Sequence, residues 1–369
     1  MKGKLLCGLG LILLLLGLTA AARGEARAAI LIESETGRVL YEKNAHEPLP
    51  MASTTKIMTA LLAIERGNPD SLVTTGENAF GVPGTSLYLS LGETLTLRQM
   101  LYGLMLVSGN DAAVAIAEHV GGSVEDFCRM MTQRARELGC ENTVFLTPHG
   151  LPVNGHFTTA RDLALIARQA MKQPLFREIV STQRASLPWE GHGYDRVLVN
   201  KNKLLSTYPG ALGVKTGYTR AAGRCLVFAA ERDGMTLIGA VLNCSDWFDA
   251  AAALLDQGFD TWKMARVLDR GDTVRLIPVQ GGTAATVRAV AAEDVKAPVG
   301  KDSWPELVLN LPDTLDAGIQ AGDALGTAEL IDGGQIVARV PLVAADTVPR
   351  QSFRSGWLRL VRCWPLLSK

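Results

Sequence analysis

Two stretches of helical apolar spacing, Ile57 to Ile64 and Thr96 to His119, lie between strand-like segments on both sides, and few folds accommodate that order. Ile57, Met58, Leu61, Leu62 and Ile64 recur at helical spacing and stop at Gly67, a residue type that commonly ends a helix. From Thr96 to His119 the chain is rich in Leu, Met and Ala and is broken only at Ser108-Gly109-Asn110, which predicts two helices joined by a tight polar link. Ahead of this region, Ala29 to Ile32 and Val39 to Tyr41 read as two short strands about a turn at Glu35-Thr36-Gly37. Behind it, Leu212 to Thr216, Leu226 to Ala230 and Leu237 to Asn243 read as consecutive strands. An Asp233-Gly234 turn joins the last two, and a helix from Trp247 to Leu255 closes the region. The expected fold is α+β, with one sheet assembled from N- and C-terminal strands and a helical cluster packed against it.

This domain is expected to occupy residues 27–262. Beyond it, Val274-Arg275-Leu276-Ile277 and Ile336-Val337-Ala338-Arg339-Val340 alternate or run apolar between Gly and Pro, which fits a small all-β domain over residues 263–348. Both ends of the chain carry other signals. Lys2 and Lys4 precede an almost wholly apolar run from Leu5 to Leu18 and the small residues Ala20-Ala21-Ala22, so residues 1–22 are expected to be an export signal that is removed. The run is shorter than the roughly 20 residues a membrane span needs. At the other end, residues 352–369 place Phe353, Trp357, Leu360, Val361 and Trp364 on one helical face, with Arg354, Arg359 and Arg362 toward its flanks and back. That pattern suits a helix lying on a membrane surface; the alternative is a helix docked on the protein's own β domain. The expected location is the extracytoplasmic face of the cell membrane.

Lys plus Arg and Asp plus Glu both number 37, so no excess cation exists to neutralise phosphates, and nucleic acid is not an expected partner. Removal of the signal removes Cys7 and leaves Cys128, Cys140, Cys225, Cys244 and Cys363, an odd number, so at least one thiol stays unpaired within a monomer. A bond between Cys225 and Cys244 is geometrically conceivable across the Asp233-Gly234 hairpin; two buried thiols are the alternative.

Three short motifs then follow in order: Ser53-Thr54-Thr55-Lys56, Ser108-Gly109-Asn110 and Lys215-Thr216-Gly217. On a helix, residues three apart share a face, so the Lys56 amine can approach the Ser53 hydroxyl. A serine hydroxyl needs a base to become a nucleophile, and a lysine supplies one once desolvation and a second cation such as Lys215 lower its pKa. A helix start at Ser53 would also aim N–H groups at a developing oxyanion. Ser108 can relay a proton to a leaving amine, and Asn110 can hold a substrate amide. Lys215 and Thr216 offer a cation and a hydroxyl for a terminal carboxylate. Gly217 keeps the wall low, an extended peptide can add beside this strand, and the Tyr218 N–H can join that of Ser53 as an oxyanion hole. Taken singly, each motif has a plain alternative: Ser53 as a helix cap, Ser108 and Asn110 as caps at a junction, and Lys215 to Gly217 as a turn after a strand.

The ordered set resembles the signature of penicillin-binding proteins and class A β-lactamases. Asn200-Lys201-Asn202-Lys203-Leu204-Leu205, Gly213-Val214-Lys215-Thr216-Gly217-Tyr218-Thr219, Ala222-Gly223 and Pro148-His149-Gly150-Leu151 are similar to segments of the low-molecular-mass D-Ala-D-Ala carboxypeptidases, the S11 serine peptidases. Thr147 stands where that family leads one to expect Asn. The resemblance covers Ala28 to Phe259 closely and the β-rich region more loosely. It implies a β-lactamase-like catalytic domain in which Ser53 is the acyl-ester nucleophile, Lys56 the proton acceptor, Ser108 the third catalytic group and Lys215 the carboxylate site. It further implies peptidoglycan pentapeptide ending in D-Ala-D-Ala as substrate and β-lactams as acylating ligands, with no cofactor.

Rival chemistries have less support. His119, His149, His156 and His192 have no evident serine partner, and the chain has no Gly-x-Ser-x-Gly elbow. Metal-ligand spacings such as His-Glu-x-x-His or Cys-x-x-Cys are missing from the sequence, so no metal is expected. A class A β-lactamase needs a glutamate to activate a deacylating water, and the sequence offers no counterpart. A non-catalytic penicillin receptor would not need Ser53, Lys56 and Ser108 together.

Overall fold

The computed structural model describes residues 25–351, apart from residues 190 and 303. The export signal expected over residues 1–22, with Cys7, and the membrane-surface helix expected over residues 352–369, with Cys363, lie outside the described residues. By its contacts the chain divides into two units, one ending at Phe259 and the other beginning at Asp260.

In the first unit, β1 (Ala28–Glu33) and β2 (Val39–Lys43) form an antiparallel hairpin. The Glu33 carboxylate closes its turn by accepting from the Glu35 N–H (2.7 Å) and from the Thr36 N–H and hydroxyl (2.8 and 2.7 Å). A 3₁₀ turn, Ala52–Thr55, leads into α1 (Lys56–Arg66), which Gly67 terminates. Every α1 residue from Lys56 to Ala63 is buried, so this helix runs through the core rather than along its surface.

The short pair β3 (Leu72–Thr74) and β4 (Thr94–Thr96) follows, then α2 (Leu97–Tyr102) behind a reciprocal Thr96–Gln99 capping box. A π-helical stretch, Gly103–Val107, ends in Ser108, and α3 (Asn110–Gly121) begins two residues later, after Gly109. The helical cluster continues with α4 (Val124–Glu137), α5 (Ala160–Met171) and α6 (Pro174–Ser181). Ser123 and Thr159 cap α4 and α5, accepting from the N–H of Asp126 and Asp162, each at 3.0 Å. A second short hairpin, β5 (Arg184–Leu187) with β6 (Arg196–Val199), and the turn-length α7 (Leu204–Thr207) return the chain to the sheet.

There β7 (Ala211–Thr219), β8 (Gly223–Arg232) and β9 (Met235–Leu242) meander antiparallel, and β9 pairs with β1. The sheet order is β2-β1-β9-β8-β7, so strands from the two ends of the unit do share one sheet, as the sequence patterning predicts. Asp233 and Gly234 both take positive φ, 51° and 75°, as a two-residue turn matched to the strand twist requires. The closing helix, α8, runs Trp247–Thr261, well over one turn beyond its predicted end at Leu255. Cys225 and Cys244 are buried thiols and are not bonded to each other. Cys225 lies on β8, whereas Cys244 lies two residues past the end of β9, where its N–H bonds to the Arg224 carbonyl, so Cys225 is not the residue opposite.

The second unit is all-β. β10 (Trp262–Leu268) is followed by β11 (Thr273–Gln280), β12 (Thr286–Ala291), β13 (Val295–Gly300), β14 (Glu306–Asn310), β15 (Leu315–Asp316), β16 (Ala324–Asp332) and β17 (Gln335–Ala344). β10 pairs with β13, and the others form a six-stranded sheet in the order β14-β16-β17-β12-β11-β15. Two small apolar clusters stabilise it, one around Ile277, Val287 and Ile319 and one around Ala297, Leu330 and Val340. Among the described residues no helix is long and apolar enough to cross a membrane.

Candidate active site

Ser53 sits within the 3₁₀ turn that enters α1, where its neighbour three residues on, Lys56, shares its face. The Lys56 amine stands 3.1 Å from the Ser53 hydroxyl. It is also 2.7 Å from the Asn110 side-chain oxygen and 2.7 Å from the His149 carbonyl. The Asn110 amide orientation is fixed, because its Nδ2 donates to the Pro83 carbonyl at 2.7 Å and so leaves Oδ1 toward Lys56.

Burial holds the Lys56 pKa well below the ordinary lysine value; the cations of Lys215 and Lys201 lower it further, against an opposing pull from Asp111. In the neutral amine two N–H bonds face Asn110 and His149, both of which can only accept there. The remaining lone pair is left for the Ser53 O–H. That geometry is the one a base needs beside a serine hydroxyl, the roles expected of Lys56 and Ser53 from the sequence.

Ser108 is held at φ 68°, ψ 39°, the left-handed region that a non-glycine residue adopts at a cost of order 1–3 kcal/mol. Its hydroxyl is buried with no hydrogen-bond partner in the protein. The capping alternatives do not hold. Ser108 closes the π-helical stretch through its backbone N–H, which donates to the Gly103 carbonyl, but neither Ser53 nor Ser108 caps a helix with its hydroxyl, and at the start of α3 the cap position is Gly109, with no side-chain bond. Asn110 accepts from Lys56 at Oδ1 and gives one Nδ2 hydrogen to Pro83, which leaves the second Nδ2 hydrogen of this cleft-lining residue for the substrate amide expected from the sequence.

The strand β7 presents the third motif. Lys215 is fully buried, its amine donating to the Thr216 carbonyl at 3.1 Å, and burial followed by the Lys201 cation brings its pKa down to about 7. A Cβ at Gly217 would lie 2.9 Å from the Ser53 nitrogen and 3.0 Å from that of Thr54. Glycine at 217 therefore lets the β7 main chain lie against the N–H groups of the nucleophile turn. Tyr218 stands at the rim, 62% exposed.

A cleft of about 390 Å³ gathers these groups: Ser53, Ser108, Asn110, Thr216, Gly217 and Tyr218 line it, while Lys56 and Lys215 lie buried behind its surface. The same cleft holds residues that the sequence reading left without a role, among them Thr85, Lys201 and Trp247. Lys201 lies in a segment noted only for its resemblance; burial lowers its pKa, and its charge acts on both other lysines.

The segment around Thr85 had no signal in the sequence. Its anchor is Asp111, whose buried carboxylate accepts from the Ser86 hydroxyl (2.5 Å) and the N–H groups of Leu87 (2.9 Å) and Leu89 (3.2 Å). The Thr85 hydroxyl donates to the Ser108 carbonyl at 2.5 Å, and its carbonyl accepts from the Asn110 N–H at 2.7 Å. This strap fixes the motif from outside.

The histidines serve as frame. His156 accepts from the Leu146 N–H at Nδ1 (3.0 Å), so its Nε2 carries the hydrogen and donates to the Thr55 hydroxyl (3.0 Å), which donates in turn to the Ala52 carbonyl (2.9 Å). Burial lowers the His156 pKa to about 4, keeping the ring neutral. His149 contributes its carbonyl to Lys56. His119 does have a serine partner, Ser71 at 2.9 Å, contrary to the sequence reading; that pair is exposed and is not part of the cleft lining. Thr147, the departure from the expected Asn, accepts from the Gly150 N–H at 3.1 Å and so closes the loop that carries His149. Among the described residues no three His, Cys, Asp or Glu side chains converge as metal ligands would.

Comparison with known proteins finds the same architecture. The family profile described as D-alanyl-D-alanine carboxypeptidase, peptidase S11, matches residues 18–246, and a profile described as the penicillin-binding protein 5 C-terminal domain matches residues 262–350. The chain is 34% identical to the D-alanyl-D-alanine carboxypeptidase DacF of Bacillus subtilis over 94% of this chain and 92% of that one. It is 31% identical to DacC of Escherichia coli over 89% and 86%. The crystal structure of penicillin binding protein 5 from Haemophilus influenzae superposes with a TM-score of 0.77 at 27% identity, covering 89% of this chain and 98% of that one. A DD-transpeptidase of Streptomyces K15 superposes at 0.61 with 37% identity over 63% of this chain and 97% of that one.

Proposed function

The chain belongs to the D-alanyl-D-alanine carboxypeptidase family, peptidase S11, and from that premise we propose that it removes the terminal D-alanine from peptidoglycan pentapeptides through an acyl-enzyme on Ser53. The observation that carries this reading is the buried Lys56 amine, depressed in pKa, 3.1 Å from the Ser53 hydroxyl at the floor of a cleft.

In this mechanism Lys56 takes the Ser53 proton as the oxygen attacks the carbonyl carbon of the penultimate D-Ala. The oxyanion forms between the N–H groups of Ser53 and Tyr218, a pairing supported by the approach of β7 that Gly217 permits. Collapse breaks the peptide C–N bond, and the leaving amine takes its proton by way of Ser108, whose buried hydroxyl has no other partner in the protein. Water then hydrolyses the ester. Lys215 and Thr216 hold the terminal carboxylate, and Asn110 acts by aiming Lys56.

A β-lactam, a strained amide beside a carboxylate, fits the same groups and acylates Ser53. Turnover of β-lactams in the manner of a class A β-lactamase has no support, since among the described residues no carboxylate lines the cleft. A receptor role without turnover is disfavoured by the Lys56 arrangement, which serves chemistry rather than binding.

Export and membrane attachment complete the proposal. Residues 1–22 act as a cleaved signal, and residues 352–369 hold the mature protein to the outer face of the cell membrane, a reading supported by the Trp and Arg pattern of the tail. Labelled penicillin tests the active-site assignment. Its adduct is expected on the peptide containing Ser53 and is expected to vanish in Ser53→Ala. Label on another serine would refute the assignment.

A further inference from the structure

We propose that Asp111 is a positioning residue for protonation of the leaving amine: it holds the strap of residues 83–89, and through that strap it holds the Ser108 hydroxyl in place. The proposal rests on the carboxypeptidase reading above, which gives Ser108 that proton transfer.

The Ser108 hydroxyl has no hydrogen-bond partner in the protein, so its place is inherited from the backbone that carries it. That backbone is strained, at φ 68° and ψ 39°, and relaxes unless its surroundings prevent it. On one side, the N–H groups of Ser108 and Gly109 both donate to the Gly103 carbonyl. On the other side stands the strap. The Thr85 hydroxyl donates to the Ser108 carbonyl (2.5 Å), the Thr85 carbonyl accepts from the Asn110 N–H (2.7 Å), and the Pro83 carbonyl accepts from the Asn110 side chain (2.7 Å).

The strap belongs to no helix or strand, so its shape needs another cause. The buried Asp111 carboxylate supplies it, accepting from the Ser86 hydroxyl (2.5 Å) and from the N–H groups of Leu87 (2.9 Å), Leu89 (3.2 Å) and, on its own helix, Ala112 (2.9 Å). Tyr88, between two of those N–H groups, is held at φ 59°, so the strap too relaxes without the carboxylate. The middle of the motif fits the same arrangement. A Cβ at Gly109 would lie 2.9 Å from the Asp111 carboxylate and 3.3 Å from the Leu87 side chain, a gap that glycine alone leaves open.

One step of the reaction exposes this role. When the intermediate collapses on an amide, the C–N electron pair goes to nitrogen, which departs only with the proton delivered by way of Ser108. In a thioester the C–S pair leaves on sulfur as the thiolate, which needs no proton, because a thiol has a pKa of about 8.5. Displacing Ser108 therefore slows the amide and spares the thioester. The Asp111 charge also raises the Lys56 pKa. Lys56 serves the attack of Ser53 on both substrates, so their ratio is free of that effect.

The test uses Nα-acetyl-L-Ala-D-Ala-D-Ala and the analogue whose last residue is D-thiolactic acid, which keeps the terminal carboxylate and replaces the scissile C–N bond by C–S. In Asp111→Asn an amide N–H₂ faces donors that the carboxylate accepted, and the ratio of kcat/KM, amide over thioester, is expected to fall about tenfold or more. Ser86→Ala removes one strap bond and keeps the carboxylate; there the ratio should fall roughly threefold. Turnover of the thioester reports an intact Ser53 and Lys56 in each variant, and where Asp111→Asn does not fold, Ser86→Ala decides. A ratio equal to that of the unaltered protein, whether both rates drop together or neither does, would overturn the positioning role. Failure of the unaltered protein to release D-alanine from the peptide would instead overturn the carboxypeptidase reading, and this proposal with it.

Discussion

The Lys56 amine reaches the Ser53 hydroxyl at 3.1 Å while both of its own hydrogens are directed to fixed acceptors, the Asn110 side-chain oxygen and the His149 carbonyl. The chemistry proposed for this protein depends on that lone pair.

Replacing the base separates charge from basicity. Lys56→Arg keeps the charge but cannot give up its proton near neutral pH, and Lys56→Met keeps the bulk without any nitrogen. Both should slow penicillin acylation of Ser53 by about 10³-fold or more, measured as the rate of covalent labelling. A rate within tenfold of the unaltered protein in the Met variant would remove Lys56 from the role of base.

The buried cation at position 215 predicts a pH dependence with a definite sign. Burial, then Lys201, lowers its pKa to about 7, so the amine is charged below that pH and neutral above it. The kcat/KM for a peptide ending in a free carboxylate should therefore fall as pH rises through about 7, since this parameter reports the free enzyme. In Lys215→Arg the guanidinium stays charged, so that limb should disappear. A falling limb unchanged in the Arg variant would assign it to another group.

Much of this site is legible in the sequence because its parts are local. Ser53 and Lys56 are three residues apart on one turn, and the strand bearing Lys215 opens a run of three strands whose last two are joined by the Asp233-Gly234 turn, whose chemistry is explicit. Ser108 is less legible. Its position depends on a π-helical stretch over Gly103–Val107, which apolar spacing does not distinguish from an ordinary helix. Asp111 and the strap around Thr85 are not legible at all, since the bonds between them join residues more than 20 apart in sequence that only the tertiary fold brings together. Lys201 escapes for the same reason; its effect on Lys56 and Lys215 runs through space. Cys225 and Cys244 show the converse, a pairing that the hairpin suggests and the structure does not make, since Cys244 lies past the end of β9 and its N–H meets Arg224.

A single methyl group tests the approach of β7. Gly217→Ala would put Cβ 2.9 Å from the Ser53 nitrogen, so the strand must move away and take the Tyr218 N–H with it. Acylation should fall about 10²-fold, as for loss of an oxyanion donor, while the fold, followed by circular dichroism, is kept. An acylation rate within twofold of normal would show that the close approach is not needed.

Attachment of the protein is tested by removing its tail. Without residues 352–369 the processed protein should move from the membrane fraction to the soluble fraction and still be labelled by penicillin at Ser53. Retention on membranes would refute the tail as the anchor.

The central claim is tested most directly by the product. Incubation with a peptidoglycan pentapeptide ending in D-Ala-D-Ala, with free D-alanine quantified, should give one D-alanine per peptide, and Ser53→Ala should give none. No release by the unaltered protein, or release that persists in Ser53→Ala, would contradict the account.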